Sequence, residues 1–335
     1  MLQMPEAGKE WAERSKKMMD YTTFKKEVES KIMGYMPEEM KGMEVKFRQV
    51  DKVNRTLDAV SVNFGSTANE KGAIIYINDM YETYKRCGDF GAAVSMSLLQ
   101  LRQAVQTVRV ELPDMTTAKD NIVLQIINTR QNQKLLGGIP NREFLDLSII
   151  YRWGIQLDKE GFKNMIVTNK LANDLGLTER ELFLLAKENT KRLFTPTVKS
   201  MADIVRDLLP SDVLGTIPEE FWNDNNLWVL TNERGINGAA AILYEDVLHA
   251  IAGQLGADLY IIPSSIHEVI VTPDKMDPHE LADMVFSINR EQVDVEERLS
   301  DNVYRYDRET HEVSLAAGMP DKGLEKLGKL WGITQ

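Results

Sequence analysis

The apolar residues of this chain repeat with two different periods, and this alternation constrains the fold more than any other feature. Leu98, Leu101 and Val105 are three and four residues apart, the spacing of a helix that buries one stripe. Val60 and Val62 belong to a run in which every second residue is apolar, which is typical of a strand. Both patterns recur along the chain, so we expect a fold that contains both helices and strands.

Short polar turns between strand-like runs favour antiparallel pairing. Residues 158–161 separate two such runs, and residues 307–310 separate two more. Strands joined by connections this short pair as hairpins. The predicted fold class is therefore α+β, a mixed α/β architecture with short antiparallel sheets covered by amphipathic helices, in two domains.

The length of 335 residues favours more than one hydrophobic core. Two glycines and a proline interrupt both periods between Leu135 and Pro140, which indicates a boundary. We expect an N-terminal extension (1–18), an N-terminal α/β domain (19–137), a C-terminal α+β domain (138–318) and a C-terminal tail (319–335).

Two amphipathic helices are predicted in the second domain, each opened by a capping residue. The first begins at Ser200 and Asp203 and places four apolar residues on one face: Met201, Ile204, Val205 and Leu208. The second begins at Asp277, has Pro278 at its first position, and directs another face inward: Leu281, Met284, Val285 and Ile288.

Two further elements are predicted from shorter patterns. A helix is expected to begin at Thr116 or Thr117 and to place Ile122, Ile126 and Ile127 on one side. A short strand is expected to follow the turn at Gly235–Gly238 and to run through Ile242.

The charge and cysteine content exclude several classes of protein. The net charge is −11 and 27% of residues are charged, which argues against direct nucleic-acid binding, because that binding depends on Lys and Arg. A single cysteine, Cys87, forms no internal disulfide and no cysteine metal cluster. No apolar run is long enough to cross a bilayer. We expect a cytoplasmic protein that does not bind membranes.

Known catalytic and cofactor motifs are missing from the sequence. It contains no G-x-x-x-x-G-K-[ST], no G-x-G-x-x-G and no G-x-S-x-G. Three histidines, His267, His279 and His311, precede a glutamate, but none continues to H-E-x-x-H. We therefore expect no cofactor and no metal.

The candidate site lies in the segment Tyr260 to Asp274, where ionisable residues interrupt an apolar run. If Ile266 to Val271 is a buried strand, His267 and Glu268 need partners. In one interpretation His267 is a general base or ligand, Glu268 orients it, and Ser264 or Ser265 is a nucleophile or anion contact. In the alternative, His267 is a satisfied buried histidine beside a turn whose serines cap local amides; the sequence favours this alternative.

A second polar turn lies nearby in sequence and holds Asn232 and Asn237. These two asparagines are candidate binding residues. Turn chemistry alone also explains them.

Several blocks of the second half resemble an uncharacterised family of proteins of unknown function from gut-dwelling anaerobic bacteria. They are 144–151 (FLDLSIIY), 185–193 (LAKENTKRL), 229–232 (VLTN), 263–270 (PSSIHEVI) and 299–304 (LSDNVY). With weaker similarity from Asp20 to Leu136, the resemblance covers about residues 20–315. It implies no catalytic role for any residue.

The sequence as a whole favours a non-catalytic cytoplasmic interaction or regulatory protein with a protein partner. The first alternative is a hydrolase-type enzyme centred on Ser264, Ser265, His267 and Glu268. The second is an acidic inhibitor that imitates DNA and occupies a nucleic-acid enzyme. Against the second, the acids are mostly interleaved with bases, as in Glu179–Arg180–Glu181.

Overall fold

A computed structural model describes residues 18–63, 72–107, 115–158, 161–219, 222, 226–263 and 265–318. Its helices and antiparallel sheets confirm the predicted α+β class. Within these residues, every helix is too short or too polar to span a membrane.

By its internal contacts the chain divides into two compact units, Met1–Lys52 with Thr56–Leu112, and Val53–Arg55 with Pro113–Gln335. This division falls at a different place from the boundary predicted near residues 137–138. Strands on both sides of that boundary pair in one sheet. The predicted domains, 19–137 and 138–318, stay a prediction.

Unit 1 packs helices against a three-stranded antiparallel sheet of order β1-β2-β3. Phe24, Val28 and Ile32 form the buried stripe of its first helix, and Val60 and Val62 supply the sheet side of the same core. The described elements are α1 (Tyr21–Tyr35), β1 (Glu44–Lys52), β2 (Arg55–Asn63), β3 (Gly72–Tyr76), α2 (Ile77–Cys87) and α3 (Phe90–Thr107).

Unit 2 is built on two antiparallel sheets. The first half of its described elements comprises β4 (Ile122–Asn128), α4 (Gln133–Leu136), β5 (Asn141–Phe144), β6 (Leu147–Asp158), β7 (Gly161–Ile166), α5 (Asn169–Asp174), α6 (Glu179–Leu193) and β8 (Pro196–Ser200). The second half comprises α7 (Met201–Leu208), α8 (Ser211–Leu214), β9 (Trp228–Asn232), α9 (Glu245–Leu255), β10 (Leu259–Ile262), β11 (Val269–Pro273), α10 (Pro278–Glu291), β12 (Val303–Tyr306) and β13 (Val313–Ala317).

The two predicted hairpins are confirmed. Strands β6 and β7 pair around Asp158–Gly161, and β12 pairs with β13 around Asp307–Thr310. The four-stranded sheet contains β4, β5 and β7, all paired with β6, and the six-stranded sheet has the order β13-β12-β10-β11-β9-β8.

Two sequence predictions are wrong. Residues 122–128 form strand β4 and not a helix, because six successive residues from Ile122 to Ile127 are buried and the strand is covered on both faces. Residues 238–243 form a buried 3-10 helix and not a strand. In both places a short apolar run fits either period, and burial on all sides decides the structure.

Helix α6 covers the outer edge of β4 and satisfies its backbone. The Thr190 hydroxyl accepts a hydrogen bond from the Leu124 amide at 2.8 Å, and the Asn189 amide group donates to the Ile122 carbonyl at 3.0 Å. A strand edge closed in this way offers no template for pairing with another chain.

The main core of unit 2 joins the inner face of the six-stranded sheet to the four-stranded sheet. On β9 and β11 the inner residues are Leu230, Val269 and Val271, all buried. Their neighbours along the strands, Val229 and Ile270, therefore point to the opposite, outer face. That outer face carries the candidate site.

Candidate functional site

His267 and Glu268 precede strand β11 and do not lie inside it, so the predicted strand from Ile266 is wrong at its start. The segment before Val269 pairs elsewhere: the Ile266 amide donates to the Glu297 carbonyl at 2.8 Å, and Ser265 bridges to Arg298. Strand β11 begins only where the backbone starts to pair with β9 and β10.

Four contacts hold His267 in place. Its Nδ1 accepts a hydrogen bond from the Asn237 amide at 3.3 Å, so the ring proton is on Nε2, which lies 3.6 Å from Glu297 Oε1. Its carbonyl accepts from the Thr231 hydroxyl at 2.8 Å. Its amide donates to Ser265 Oγ at 2.9 Å.

These contacts differ from those of a nucleophile and its base. The Ser265 hydroxyl meets the backbone of His267 and not the ring, and the carboxylate that contacts the ring belongs to Glu297 rather than Glu268. The His267 side chain is 30% exposed. Ser264 lies outside the described residues.

The two polar turns singled out in the sequence meet at this point. Asn232 organises its own turn: its Oδ1 accepts from the Arg234 amide at 3.0 Å, and its Nδ2 donates to the Ile236 carbonyl at 2.8 Å. A Cβ at Gly238 would lie 2.4 Å from the His267 carbonyl oxygen. The junction is thus tightly packed, and Asn237 reaches His267 through its backbone.

Glu268 and Asn232 line a cavity of about 640 Å³ on the outer face of the six-stranded sheet. Helix α7 forms one wall of it with Met201 and Ile204, and Val229 is on its floor. The remaining lining residues are Thr197, Lys199, Thr231, Glu233 and Ile270.

A second cavity, of about 380 Å³, adjoins the first at Ile270. Ile270 lies between its strand partners Val229 and Ile262, so the floor is continuous. The other lining residues are Asn226, Leu227, Thr272, Pro273, Lys275, Met276, Leu281, Met284, Val285, Ile288 and Asn289. We call the two adjoining cavities, between α7 and α10, the outer groove.

Helix α10 positions the wall of the second cavity. Asp277 caps it by accepting a hydrogen bond from the His279 amide at 2.8 Å, with Pro278 at the start as predicted. Leu281 and Val285 pack on the sheet and are buried. They fix the rotation of the helix about its axis.

Met284 and Ile288 were predicted to point inward, and both are 44% exposed. Leu208 of α7, predicted on one face with Met201 and Ile204, is 75% exposed. The apolar arcs of both helices are wider than the surface that the sheet covers, so part of each arc faces the outer groove or solvent. This excess width of the apolar arcs was the signal in the sequence. Helical periodicity alone assigns the whole arc to the core.

The described residues contain no group of three or more His, Cys, Asp or Glu side chains arranged to hold a metal ion. One ion pair joins strand β5 to the start of helix α6. Arg142 donates to Glu179 through Nε at 3.0 Å and Nη2 at 2.9 Å. These hydrogen bonds hold the pKa of Glu179 below its usual value, and burial raises the pKa of Tyr151, which also donates to Glu179.

No curated protein and no solved structure shows significant similarity to this chain. A family of unknown function, DUF5688, matches residues 21–308. The resemblance predicted over about residues 20–315 is confirmed, whereas a source in gut anaerobes stays a prediction. The chain belongs to the family of unknown function DUF5688.

Proposed function

We propose that this chain is a non-catalytic cytoplasmic binding protein that regulates or recruits another protein through the outer groove. The observation that carries the proposal is the set of large apolar side chains exposed along the groove: Leu227, Met276, Met284 and Ile288, each between 37% and 45% exposed. Contiguous apolar surface beside a cavity is typical of an interaction site.

The composition of the groove suits a protein partner. Its floor is rigid, because Ile270 and Val229 are held by strand pairing on both sides. Its rim carries two methionines, Met276 and Met284, whose unbranched side chains adapt to the shape of a bound group. Glu268 and Lys199 line the other cavity, where they can fix the orientation of a bound chain.

The hydrolase alternative rests on Ser264, Ser265, His267 and Glu268. Glu268 lines the outer groove, but His267 is engaged with Asn237 and Glu297, which does not support a catalytic group. Turnover of a substrate that disappears in His267→Ala would favour the enzyme over the binding protein.

The acidic-inhibitor alternative needs a continuous face of carboxylates. Arg305 contacts three aspartates of unit 2, Asp258, Asp274 and Asp307. Because a basic side chain lies among them, these carboxylates do not form the uninterrupted row of negative charge of a phosphate backbone, and this observation favours the binding protein.

The test compares partner capture by the full chain and by its variants, from extracts of cells that express it naturally. Met284→Asp and Ile288→Asp place a charge on the groove wall, whereas Leu184→Asp places one on the 56% exposed Leu184 of α6. We expect the groove variants to retain at least about tenfold less of the bound protein, and Leu184→Asp to bind as the wild type does. Equal capture by all four proteins would contradict the proposal.

A further inference from the structure

We infer that Arg152 and Gln125, on the four-stranded sheet of unit 2, bind a monovalent carboxylate group. Neither residue lines the outer groove, so the inference does not depend on the proposed function. It is carried by a half-buried guanidinium group that has no acidic partner and by a second, buried donor beside it.

The strand pattern of β6 directs Arg152 away from the main core of unit 2. Its neighbours along the chain, Tyr151 and Trp153, are buried in that core, so the alternation of the strand turns Arg152 to the opposite face. On that face it pairs with Val123 of β4 and with Ile166 of β7. Val123 is 1% exposed, so apolar side chains flank the arginine on both sides.

The groups that contact the guanidinium are neutral. Its Nε donates to Asn164 Oδ1, and its Nη1 donates to Gln125 Oε1 at 3.0 Å. No carboxylate in the described part of the chain forms an ion pair with it, and burial alone lowers the pKa of Arg152 to about 10. The group therefore keeps its positive charge at pH 7. A partly buried charge without a counter-ion is costly.

The unused donors of the site reach accessible surface. A guanidinium group has five N–H groups, and within the described residues Arg152 Nη2 donates to none. Gln125 is 3% exposed, and because its Oε1 accepts from Arg152, its Nε2 carries two further hydrogens that have no partner there. The buried, unpartnered side-chain atoms of the described chain belong to other residues, so both nitrogens remain accessible to a ligand.

A carboxylate matches this set of donors in shape and in charge. Parallel N–H groups of a guanidinium hold the two oxygens of a carboxylate, and Gln125 Nε2 adds a further donor. One carboxylate also neutralises Arg152. A phosphate monoester carries about −1.5 to −2 charges at pH 7 and would leave negative charge beside Val123 and Ile166, whereas a neutral acceptor would leave the arginine without a counter-ion.

The test follows the side-chain N–H signals of Arg152 and Gln125 in the full chain by NMR. Acetate stands for a free acid, and N-acetyl-glutamic acid α-amide for a peptide side chain; phosphate and chloride are titrated at the same ionic strength. We expect saturable shifts of both signals with either carboxylate, and at least about fivefold weaker binding of phosphate. The carboxylate that binds more tightly identifies the source.

Three variants complete the test. Arg152→Met removes the charge and should abolish the saturable shift at Gln125. Gln125→Leu keeps the volume without the donor and should weaken acetate binding about fivefold to tenfold, measured at the Arg152 signal. Arg180→Met, at an exposed arginine of α6, is the control and should leave both shifts unchanged.

Equal responses to acetate and chloride, or tighter binding of phosphate than of either carboxylate, would overturn the inference. Acetate binding that is unchanged in Gln125→Leu would overturn it as well. If Arg152→Met does not fold, the comparison of anions and Gln125→Leu still decide the outcome.

Discussion

At the scale of single residues, Gly238 is the residue that allows the two chain segments of the site to pack closely. A Cβ there would lie 2.3 Å from Thr231 Oγ1, 2.4 Å from the His267 carbonyl oxygen and 2.9 Å from Thr231 Cα. Two of these atoms belong to the backbone and cannot rotate away. The glycine is required because two chain segments approach closely, and no positive φ is involved.

Gly238→Ala is therefore expected to destabilise unit 2 by about 3 kcal/mol, because the added methyl group forces the backbones apart. Chemical unfolding followed by tryptophan fluorescence measures the change. The matched control is Gly253→Ala in α9, where nothing lies within 4 Å; it should stabilise the chain by about 0.5–1 kcal/mol. A neutral Gly238→Ala would contradict the close packing of this junction.

The lowered pKa of Glu179 is expected to make the stability of the fold depend on pH. Hydrogen bonds from Arg142 hold its pKa below the ordinary value of 4.5. Because the unfolded chain binds the proton more readily, this interaction stabilises the fold fully above pH 4.5 and is lost as the pH falls through the lowered pKa.

Glu179→Gln should accordingly cost about 1 kcal/mol at pH 7, and its difference from the wild type should shrink as the pH falls below 4.5. Unfolding free energies measured across this range check the expectation. Glu188→Gln, on the exposed side of the same helix, should change stability by less than about 0.5 kcal/mol at pH 7. A difference between Glu179→Gln and wild type that does not vary with pH would be evidence against the ion pair.

At the scale of elements, α6 closes the edge of β4 through side chains. The Thr190 hydroxyl accepts from the Leu124 amide at 2.8 Å and donates to the Ala186 carbonyl at 2.6 Å. Thr190→Val keeps the shape but leaves the buried Leu124 amide without a partner, so we expect a loss of about 1–3 kcal/mol.

Hydrogen exchange at the Leu124 amide tests this closure of the sheet edge. Exchange should accelerate in Thr190→Val, and Thr190→Ser, which keeps the hydroxyl, should protect the amide better. Equal protection in the two variants would show that β4 is closed by packing alone.

Sequence patterns predicted well those elements whose ends carry their own chemical signals. Asp277 and Pro278 open α10 as predicted. Thr178 and Glu181 form a capping box at the start of α6, and Gly256 ends α9 in the left-handed conformation. Each signal is local, so the sequence alone specifies it. Residues 122–128 carried no such signal, and the helical spacing of three isoleucines was misleading because the neighbouring sheet and α6 bury every face.

The candidate site was only partly predictable, for the same reason. The turn at Asn232 and the segment at His267 were each recognisable, and the structure brings them together. Their pairing depends on the order of strands in the sheet, which local patterns do not encode. The outer groove could not be predicted, because Met284 and Ile288 have the spacing of buried residues. They are exposed because the sheet beneath them is not wide enough to cover them.

At the scale of the whole molecule, unit 2 has an unequal distribution of apolar surface. The inner face of its larger sheet belongs to an extensive core, while the outer face is covered by α10 over β10 and β12 and leaves the outer groove over β9 and β11. We therefore expect binding to depend on side chains of α10 that contribute little to folding. Met284→Asp and Ile288→Asp should change the free energy of unfolding by less than about 0.5 kcal/mol while reducing capture of the partner.

The central claim is that the outer groove contacts a partner protein, and site-directed photo-crosslinking tests it most directly. A photo-reactive benzoylphenylalanine is placed at position 284 in the groove and, as the control, at position 184 on α6, both of which are exposed. Irradiation in the cells that express the chain naturally should give a discrete protein adduct from position 284 and none from position 184. The same adducts from both positions, or an adduct from position 184 alone, would contradict the account.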